Sequence, residues 1–474
     1  MSEDFKVLII GGSVAGLTLA LCLEKLEISF EILEQSEDIS PQVGASIGIM
    51  PNGALILDQL GIFEAVESVI EPLEFARIRF PDGFFFQSQY PSKIRSHFGY
   101  PLSFLERQKF LEILYNKIRH KDRVHTSQKA LRIESREGRV VVRTADKEYS
   151  GHLVVGADGV HSIVRSEIWK HSKPGTIADS EKSTLRIDYA CVYGISSGVP
   201  GVEDGLQLSL LDHGLTIHVF NGKNRKVFWF VITKTNKRYS YTDRPHFDTQ
   251  DAREICESLK SKKLDSALTF GDVWENRDIF TITPLEEGWF KTWHSGRLVC
   301  MGDAVRKLTP NLGQGANMAI EDAAALANTL WKGDLRRAMT DTRAMDDIIQ
   351  HLSTSRLAIT RQACRQSEFL TRLQAGDGVA KRLLARYVVP ILHDLPAASS
   401  TATLRGTQRL EFVGLPARAG QQHAAWPLAR NLRGCVPRSH VLFLICIGAL
   451  ITWCASGWVW NYTSMLDTTI LSHV

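Results

Sequence analysis

The sequence predicts an α/β fold in which a parallel sheet is interrupted by a separate antiparallel layer and followed by a helical region. Three observations carry this reading. Residues 5–10 (FKVLII), a glycine turn, a helical stretch over about residues 15–26 and residues 28–33 (ISFEIL) form a strand–helix–strand unit at the start. Residues 153–156 (LVVG) and 297–301 (RLVCM) are short apolar runs of the kind buried inside parallel sheets. Between them, residues 185–234 hold short alternating segments such as LTIHVF and KVFWFVI, which read as antiparallel strands.

The remaining elements follow in order. Residues 76–90 are short and aromatic, with Pro81-Asp82-Gly83 as a turn between two strands. A helix is expected over 107–119, then strands at 130–134 and 139–144 joined at Glu137-Gly138. Helical patterns dominate from about 317 to 392. The stretch from Pro396 to Arg438 is rich in Ala, Arg, Gly and Pro and reads as a linker.

The chain has 474 residues, enough for two or three domains. Its 56 basic and 52 acidic residues nearly balance, and no basic stripe interleaves with aromatics, so nucleic acid is not an expected partner. Eight cysteines are scattered without C-x-x-C or Cys/His ligand spacing, which predicts reduced thiols and no metal site. Residues 441–460 are twenty residues without a charge, long enough as a helix to span the roughly 30 Å hydrocarbon core. Trp453, Trp458, Trp460 and Tyr462 lie in or near the distal half, and Arg430, Arg433, Arg438 and His440 precede the run. Interfacial aromatics and the positive-inside rule predict a single-pass anchor, most simply in the endoplasmic reticulum, with the body in the cytosol. The alternative is a buried core helix. Asn461-Tyr462-Thr463 is a glycosylation sequon abutting this run.

Three segments carry chemistry. Gly11-Gly12-Ser13-Val14-Ala15-Gly16 follows a strand and opens a helix. It matches the dinucleotide fingerprint G-x-G-x-x-G with Ser13 at the middle glycine. Small residues there let the backbone approach a pyrophosphate, and the helix N-terminus offers N–H groups to the anion. Glu34 ends the second strand, eighteen residues after Gly16, where an acid accepts from ribose hydroxyls and repels a 2′-phosphate. The second segment, GADGVHSIVR (156–165), places Asp158 after a strand. The third runs from Gly302-Asp303-Ala304 through Pro310 to Gly313-Gln314-Gly315-Ala316-Asn317 and into a helix. Asp303 at a strand end can accept from a hydroxyl, and Gly313, Gly315 and Ala316 open a helix whose N–H groups can face an anion or carbonyl.

In this order and spacing, the three segments resemble the flavin-binding motifs of the flavoprotein aromatic hydroxylases, over about residues 5–335. A closer pattern is similar to a fungal subgroup that includes the epoxidases of indole-diterpene (paxilline-type) and meroterpenoid pathways. It rests on Ser13, GASIGIMPNG (44–53), FLERQKFLEIL (104–114), YACVYGIS (189–196) and the apolar C-terminal run. The resemblance implies a Rossmann-like FAD-binding domain with an inserted antiparallel-sheet substrate domain. It implies that positions Glu34, Gly48, Arg107, Asp303 and Ala316 bind FAD, with NADPH as co-substrate. The oxygen would come from O2 through a C4a-hydroperoxyflavin and pass to a prenyl alkene of a lipophilic terpenoid. A separate membrane terpene cyclase would consume the epoxide. A phenol hydroxylase and a non-catalytic flavin-binding protein stay open as alternatives. No W-x-W-x-I-P run of a halogenase is present.

The organisation expected is an FAD-binding first part (1–175, with substrate-layer strands near 76–100), a substrate domain (176–285) and an FAD-binding second part (286–335). A helical region (336–395), a linker (396–440), the membrane helix (441–460) and a short tail (461–474) follow. The sequence departs from the wider family at Ser13 and at Arg306, where a His is common and where a changed side chain would alter the surroundings of the flavin. Tyr189 is the candidate catalytic side chain, as a hydrogen-bond donor on a substrate-layer strand. Asp212, His213 and His218 lie nearby and read as structural.

Overall fold

The computed structural model describes residues 4–42, 46–136, 138–171, 181, 184–240, 243–392 and 407–420. An apolar run such as VLII leaves no face for water, so its strand must be covered on both sides. Accordingly β1 (Lys6–Ile10) lies inside a six-stranded sheet. The glycine turn leads into α1 (Val14–Lys25), buried along nearly its whole length. The chain returns as β2 (Ser29–Leu33), parallel to β1 with Ile10 opposite Leu33. On the other side of β1 lies β3 (Leu153–Gly156), with Ile10 opposite Gly156. The carboxyl ends of these strands therefore meet at one edge, where the glycine segments follow.

The second layer is an eight-stranded sheet. Its long strands are β4 (Arg186–Ser197), β5 (Leu206–Asp212), β6 (Leu215–Asn221), β7 (Lys226–Ser240) and β8 (Arg277–Trp289). The hairpin Phe75–Arg79 and Phe85–Ser88 extends it beyond β5, around the expected turn, where Gly83 takes φ +86°. At the opposite edge Gly288 of β8 pairs with Lys307. The third glycine segment is thus stitched into the second sheet, while the strand before it, β9 (Leu298–Cys300), pairs with β3 in the first.

The helical region begins with α2 (Gly315–Lys332), breaks at Gly333 and resumes as the 33-residue α3 (Thr342–Gln374). The Asp341 side chain accepts from the N–H groups of Arg343 and Ala344, satisfying donors at the start of α3. A buried ionic cluster joins α2, α3 and the third glycine segment. Asp322 Oδ2 accepts from Gly302 N (3.0 Å) and Arg306 Nη1 (2.7 Å), and its Oδ1 accepts from Arg356 Nε at 2.8 Å. Arg356 also pairs with Glu321 at 2.7 Å. Arg306 was expected to alter the flavin's surroundings. The structure turns it instead into the seam between α2 and α3, where Asp322 and Thr360 accept its N–H groups.

Part of the expected linker is docked. Leu410 is buried, and its N–H and carbonyl are both bonded by the Gln59 amide, at 2.8 and 2.9 Å. Asn328 bridges Arg409 O and Glu411 N, and Arg418 grips Glu67 with both nitrogens. Residues 407–418 are held because their backbone groups find these amides.

The expectation of a single-pass membrane protein is corrected: among the described residues no helix is long and apolar enough to cross a membrane. The longest helix, α3, buries a stripe running through Met345, Ile349, Leu352 and Ala363 and exposes charged residues elsewhere, as a core-facing helix does. Residues 441–460 lie outside the described residues.

Removing the Asp322 carboxylate would take away the ionic partner of the buried Arg306 and leave the buried Arg356 with Glu321. Asp322→Ala is expected to cost about 3–5 kcal/mol in urea unfolding. Arg418→Ala, which breaks a half-exposed pair, should cost under about 1 kcal/mol.

Candidate cofactor site

At the edge where β1, β2 and β3 end, the first loop needs its glycines. Gly11 takes φ +104°, and a Cβ there would stand 2.5 Å from the carbonyl oxygen of Ala157. A Cβ on Gly16 would meet Gly11 O at 2.0 Å, so only glycine lets α1 start this close to the loop. Gly12 N–H donates to Glu34 Oε2 at 2.7 Å, and Ser36 N–H donates to Oε1 at 2.8 Å. Glu34 thereby ties the end of β2 to the loop. Ser13, at the N-cap of α1, makes no side-chain cap. The first-turn N–H groups of α1 keep their donor capacity and the positive end of the helix dipole.

The third segment repeats this arrangement from another direction. Gly313 takes φ +62°, and α2 also starts without a side-chain cap. Asn317, in the first turn of α2, fixes the surrounding loops. Its Nδ2 donates to Gly48 O (2.9 Å) and Gly313 O (2.7 Å), and its Oδ1 accepts from Met50 N (3.0 Å). Asn52 donates to Gln314 Oε1 (2.9 Å) and Glu321 Oε1 (3.0 Å). The side chains of Asn317 and Asn52 were not singled out from the sequence; GQGAN and MPNG are the stretches that could have shown them. Ala15 packs against Gly302, bringing the first and third segments together. No atom outside its chain neighbours lies near the Cβ direction of Gly315, so that direction is open.

Arg107 reaches into this convergence. It opens the helix Arg107–Lys117, and its Nη2 donates to Ser13 Oγ at 2.9 Å. Burial holds its pKa below the ordinary value, opposed by the charges of Tyr193, Asp303 and Glu34. Asp303 pairs with Lys307, whose pKa is raised chiefly by that carboxylate. The Asp158 backbone lies against Gly11. The Asp158 Oδ2 accepts from Ile163 N at 2.8 Å, capping the next helix, and burial raises its pKa. Arg165 closes the second segment onto the third by donating to Ala304 O at 2.7 Å.

Tyr189 does not join the convergence. Its hydroxyl donates to Asp377 Oδ2 at 3.2 Å beyond the end of α3. Tyr193, four residues on along the same face of β4 and so about 13 Å away, is the tyrosine that meets it. Burial raises the Tyr193 pKa, while the charges of Lys307 and Arg107 pull the other way. Beside it stands an aromatic wall. Phe104 stacks on Phe220 at 3.9 Å, and Phe230 lies 5.9 Å from Phe220 and 6.3 Å from Tyr193. The Phe104 ring also covers Gly48, leaving 3.2 Å to where a Cβ would be.

A parallel sheet with two uncapped helix N-termini converging on its carboxyl edge, beside an acid that ends the second strand, defines a dinucleotide-binding protein. The residues fit such a group, since Gly11 and Gly16 let the loop pack tightly under α1, the Cβ direction of Gly315 is open, and both helix starts keep N–H donors without a side-chain cap. Residues 4–367 match the family described as FAD binding domain. The chain is 72% identical over 474 residues to the FAD-dependent monooxygenase terM of Tolypocladium album, covering 100% of each. It is 48% identical over 471 residues to the FAD-dependent monooxygenase ltmM of Epichloe festucae (strain Fl1), covering 96% of this chain and 99% of that one. The solved structure of Klebsiella pneumoniae HpxO complexed with FAD and uric acid superposes with a TM-score of 0.67. It is 17% identical, covers 84% of this chain and 96% of that chain, and speaks for the fold alone. This chain belongs to the FAD binding domain family and is an FAD-dependent monooxygenase.

Asn317→Ala would strand Gly48, Gly313 and Met50 backbone groups. We expect a loss of about 1–3 kcal/mol in urea unfolding and less FAD retained on purification. His218 gives a pH test. Buried against Phe220, it exchanges hydrogen bonds with Ser209 (2.8 Å) and Gln374 (3.3 Å), and burial lowers its pKa to about 4. The unfolded chain takes up that proton below its ordinary value of 6.5, and the folded chain only near 4. Stability therefore falls as pH drops through this window. His218→Gln should remove one proton from the slope of unfolding free energy against pH; an unchanged slope would contradict the assignment.

Proposed function

We propose that this monooxygenase epoxidises a prenyl alkene of a lipophilic terpenoid intermediate, in indole-diterpene or meroterpenoid metabolism. NADPH would supply the electrons, and one atom of O2 would enter the product while the other leaves as water. The observation that carries this reading is the group of Phe104, Phe220 and Phe230, which gives the Gly48 side of the cradle a largely buried lining of apolar ring faces. Such faces suit an uncharged hydrocarbon chain. The resemblance to the fungal epoxidases points the same way.

FAD supplies the oxygen chemistry when bound. Gly11, Gly12, Ser13, Ala15, Gly16 and Glu34 would hold its diphosphate and ribose, with Arg107 adding charge. Gly48, Asp303, Gly313, Gly315 and Ala316 would hold the remainder, and Asp158 would support the second segment from its helix cap. Tyr193, 6.3 Å from Phe230 and subject to the charge of Lys307, would line the alkene site, and the rings would keep water from it. A phenol hydroxylase would use a base beside its substrate. His218, next to Phe220, is neutral and already bonded through both ring nitrogens, which favours the alkene reading. A separate cyclase would open the epoxide.

The test is NADPH oxidation by the full chain with and without a geranylgeranyl-indole or a farnesylated phenol, products read by mass. One added oxygen on the prenyl chain is the expected result. Oxidation of the phenol ring alone would replace the proposal with a hydroxylase, and bound flavin with no NADPH oxidation would replace it with a non-catalytic role.

A further inference from the structure

We propose that Ser13 is a positioning residue that holds Arg107 against the N-terminus of α1, so that the FAD diphosphate is bound by a hydroxyl-anchored guanidinium as well as by the backbone. The inference rests on the assignment of the first loop to FAD and goes beyond it by giving the departure from the glycine fingerprint a role.

In the fingerprint the middle glycine serves close approach of the backbone to the diphosphate. Here that position carries a Cβ and a hydroxyl, and by the fingerprint alone Ser13 should weaken binding. The geometry says otherwise. Ser13 is extended (φ −92°, ψ −162°), and its hydroxyl makes no cap to the helix it precedes. Instead Ser13 Oγ accepts from Arg107 Nη2 at 2.9 Å. Arg107 comes from a distant part of the chain, at the junction of the strand Ser103–Glu106 and the helix Arg107–Lys117. Its strand pairs with Ser46–Ile49, which carries Gly48. The Ser13–Arg107 bond therefore joins the two sides of the cradle.

The guanidinium also stands where a second cation is costly. The uncapped N-terminus of α1 is a partial positive charge, and Arg107 is drawn partly out of water beside it. Glu34 and Asp303 act on Arg107 through their charges, and the Glu34 oxygens are engaged by the N–H groups of Gly12 and Ser36. A long, rotamer-rich side chain in that setting is held by a short acceptor. An anion placed over the helix end would then meet N–H groups and a fixed guanidinium together.

The experiment is a double-mutant cycle read as the FAD dissociation constant of the full-length apoprotein, by quenching of flavin fluorescence. The proteins are wild type, Ser13→Ala, Ser13→Gly, Arg107→Ala and Ser13→Ala/Arg107→Ala. Circular dichroism melts check that each variant is folded, and Arg107→Gln replaces Arg107→Ala, alone and in the double variant, if the latter does not fold. Losing one hydrogen bond to a charged group predicts about a tenfold rise in Kd for both Ser13 variants. In the Arg107→Ala background the Ser13 change should alter Kd by less than about twofold, because its effect runs through the arginine. Ser13→Gly binding FAD as tightly as wild type, or more tightly, would overturn the proposal. So would an undiminished Ser13→Ala effect without Arg107, which would mark a contact of the hydroxyl with the cofactor itself. Failure of the underlying site assignment looks different: Kd would then be indifferent to every one of these substitutions, Arg107→Ala included.

Discussion

One buried carboxylate sets the geometry on which the site depends. Asp322 accepts from a backbone N–H and two arginines, with no exposed surface of its own. Its partners belong to three different parts of the fold: the Gly302 turn, the start of the short edge strand at Arg306, and α3 at Arg356. A charge in so dry a place is tolerated only when fully paired, and the pairing is directional. The third glycine segment therefore has one position relative to α2. That position places Asp303 beside Lys307 and leaves the N-terminus of α2 facing the carboxyl edge of the parallel sheet.

The cradle is then completed from both sides by backbone rather than by charge. Gly11 and Gly16 let α1 approach its own loop, and Gly313 performs the same service at α2. Neither helix has a capping side chain, so the donors left at their starts serve whatever lies between them. Asn317 and Asn52 tie the third glycine segment to the stretch from Gly48 to Asn52. The result is a site built from partial charges, with Arg107 as the strong cation reaching it from the next strand.

The second sheet contributes a floor of a different character. Phe220 and Phe230 meet edge to face on it, Phe104 of a neighbouring strand stacks on Phe220, and burial lowers the pKa of its His218. Lys307 joins the two halves because its two-residue strand pairs with β8. The third glycine segment and the second sheet are therefore linked within a few residues of chain. The long helix α3 closes the back of this arrangement with a buried stripe and a solvated face, and the docked residues 407–418 cover the far side of α2 through the Asn328 amide.

Much of this was legible in the sequence, because the strand–helix–strand unit, the glycine loops and Glu34 are local features. A glycine between a strand and a helix announces a backbone requirement wherever the rest of the chain goes. The second sheet was legible from its alternation, and its turn at Gly83 from Pro81-Asp82-Gly83. Side-chain partnerships over long sequence separations were not. Arg306 read as a residue near the cofactor, yet its charge found Asp322 and Thr360. Tyr189 read as the candidate catalytic side chain, yet packing gave it to Asp377, and it is Tyr193 that feels the charges of Lys307 and Arg107. Residues 407–418 read as linker, yet Gln59 and Asn328 supplied partners for their backbone. The sequence by itself determined which backbone segments must turn, approach and pair, since steric rules act within a few residues. Only the tertiary structure decided which polar side chains meet, since a hydrogen bond needs its partner within about 3 Å and no periodicity records that distance.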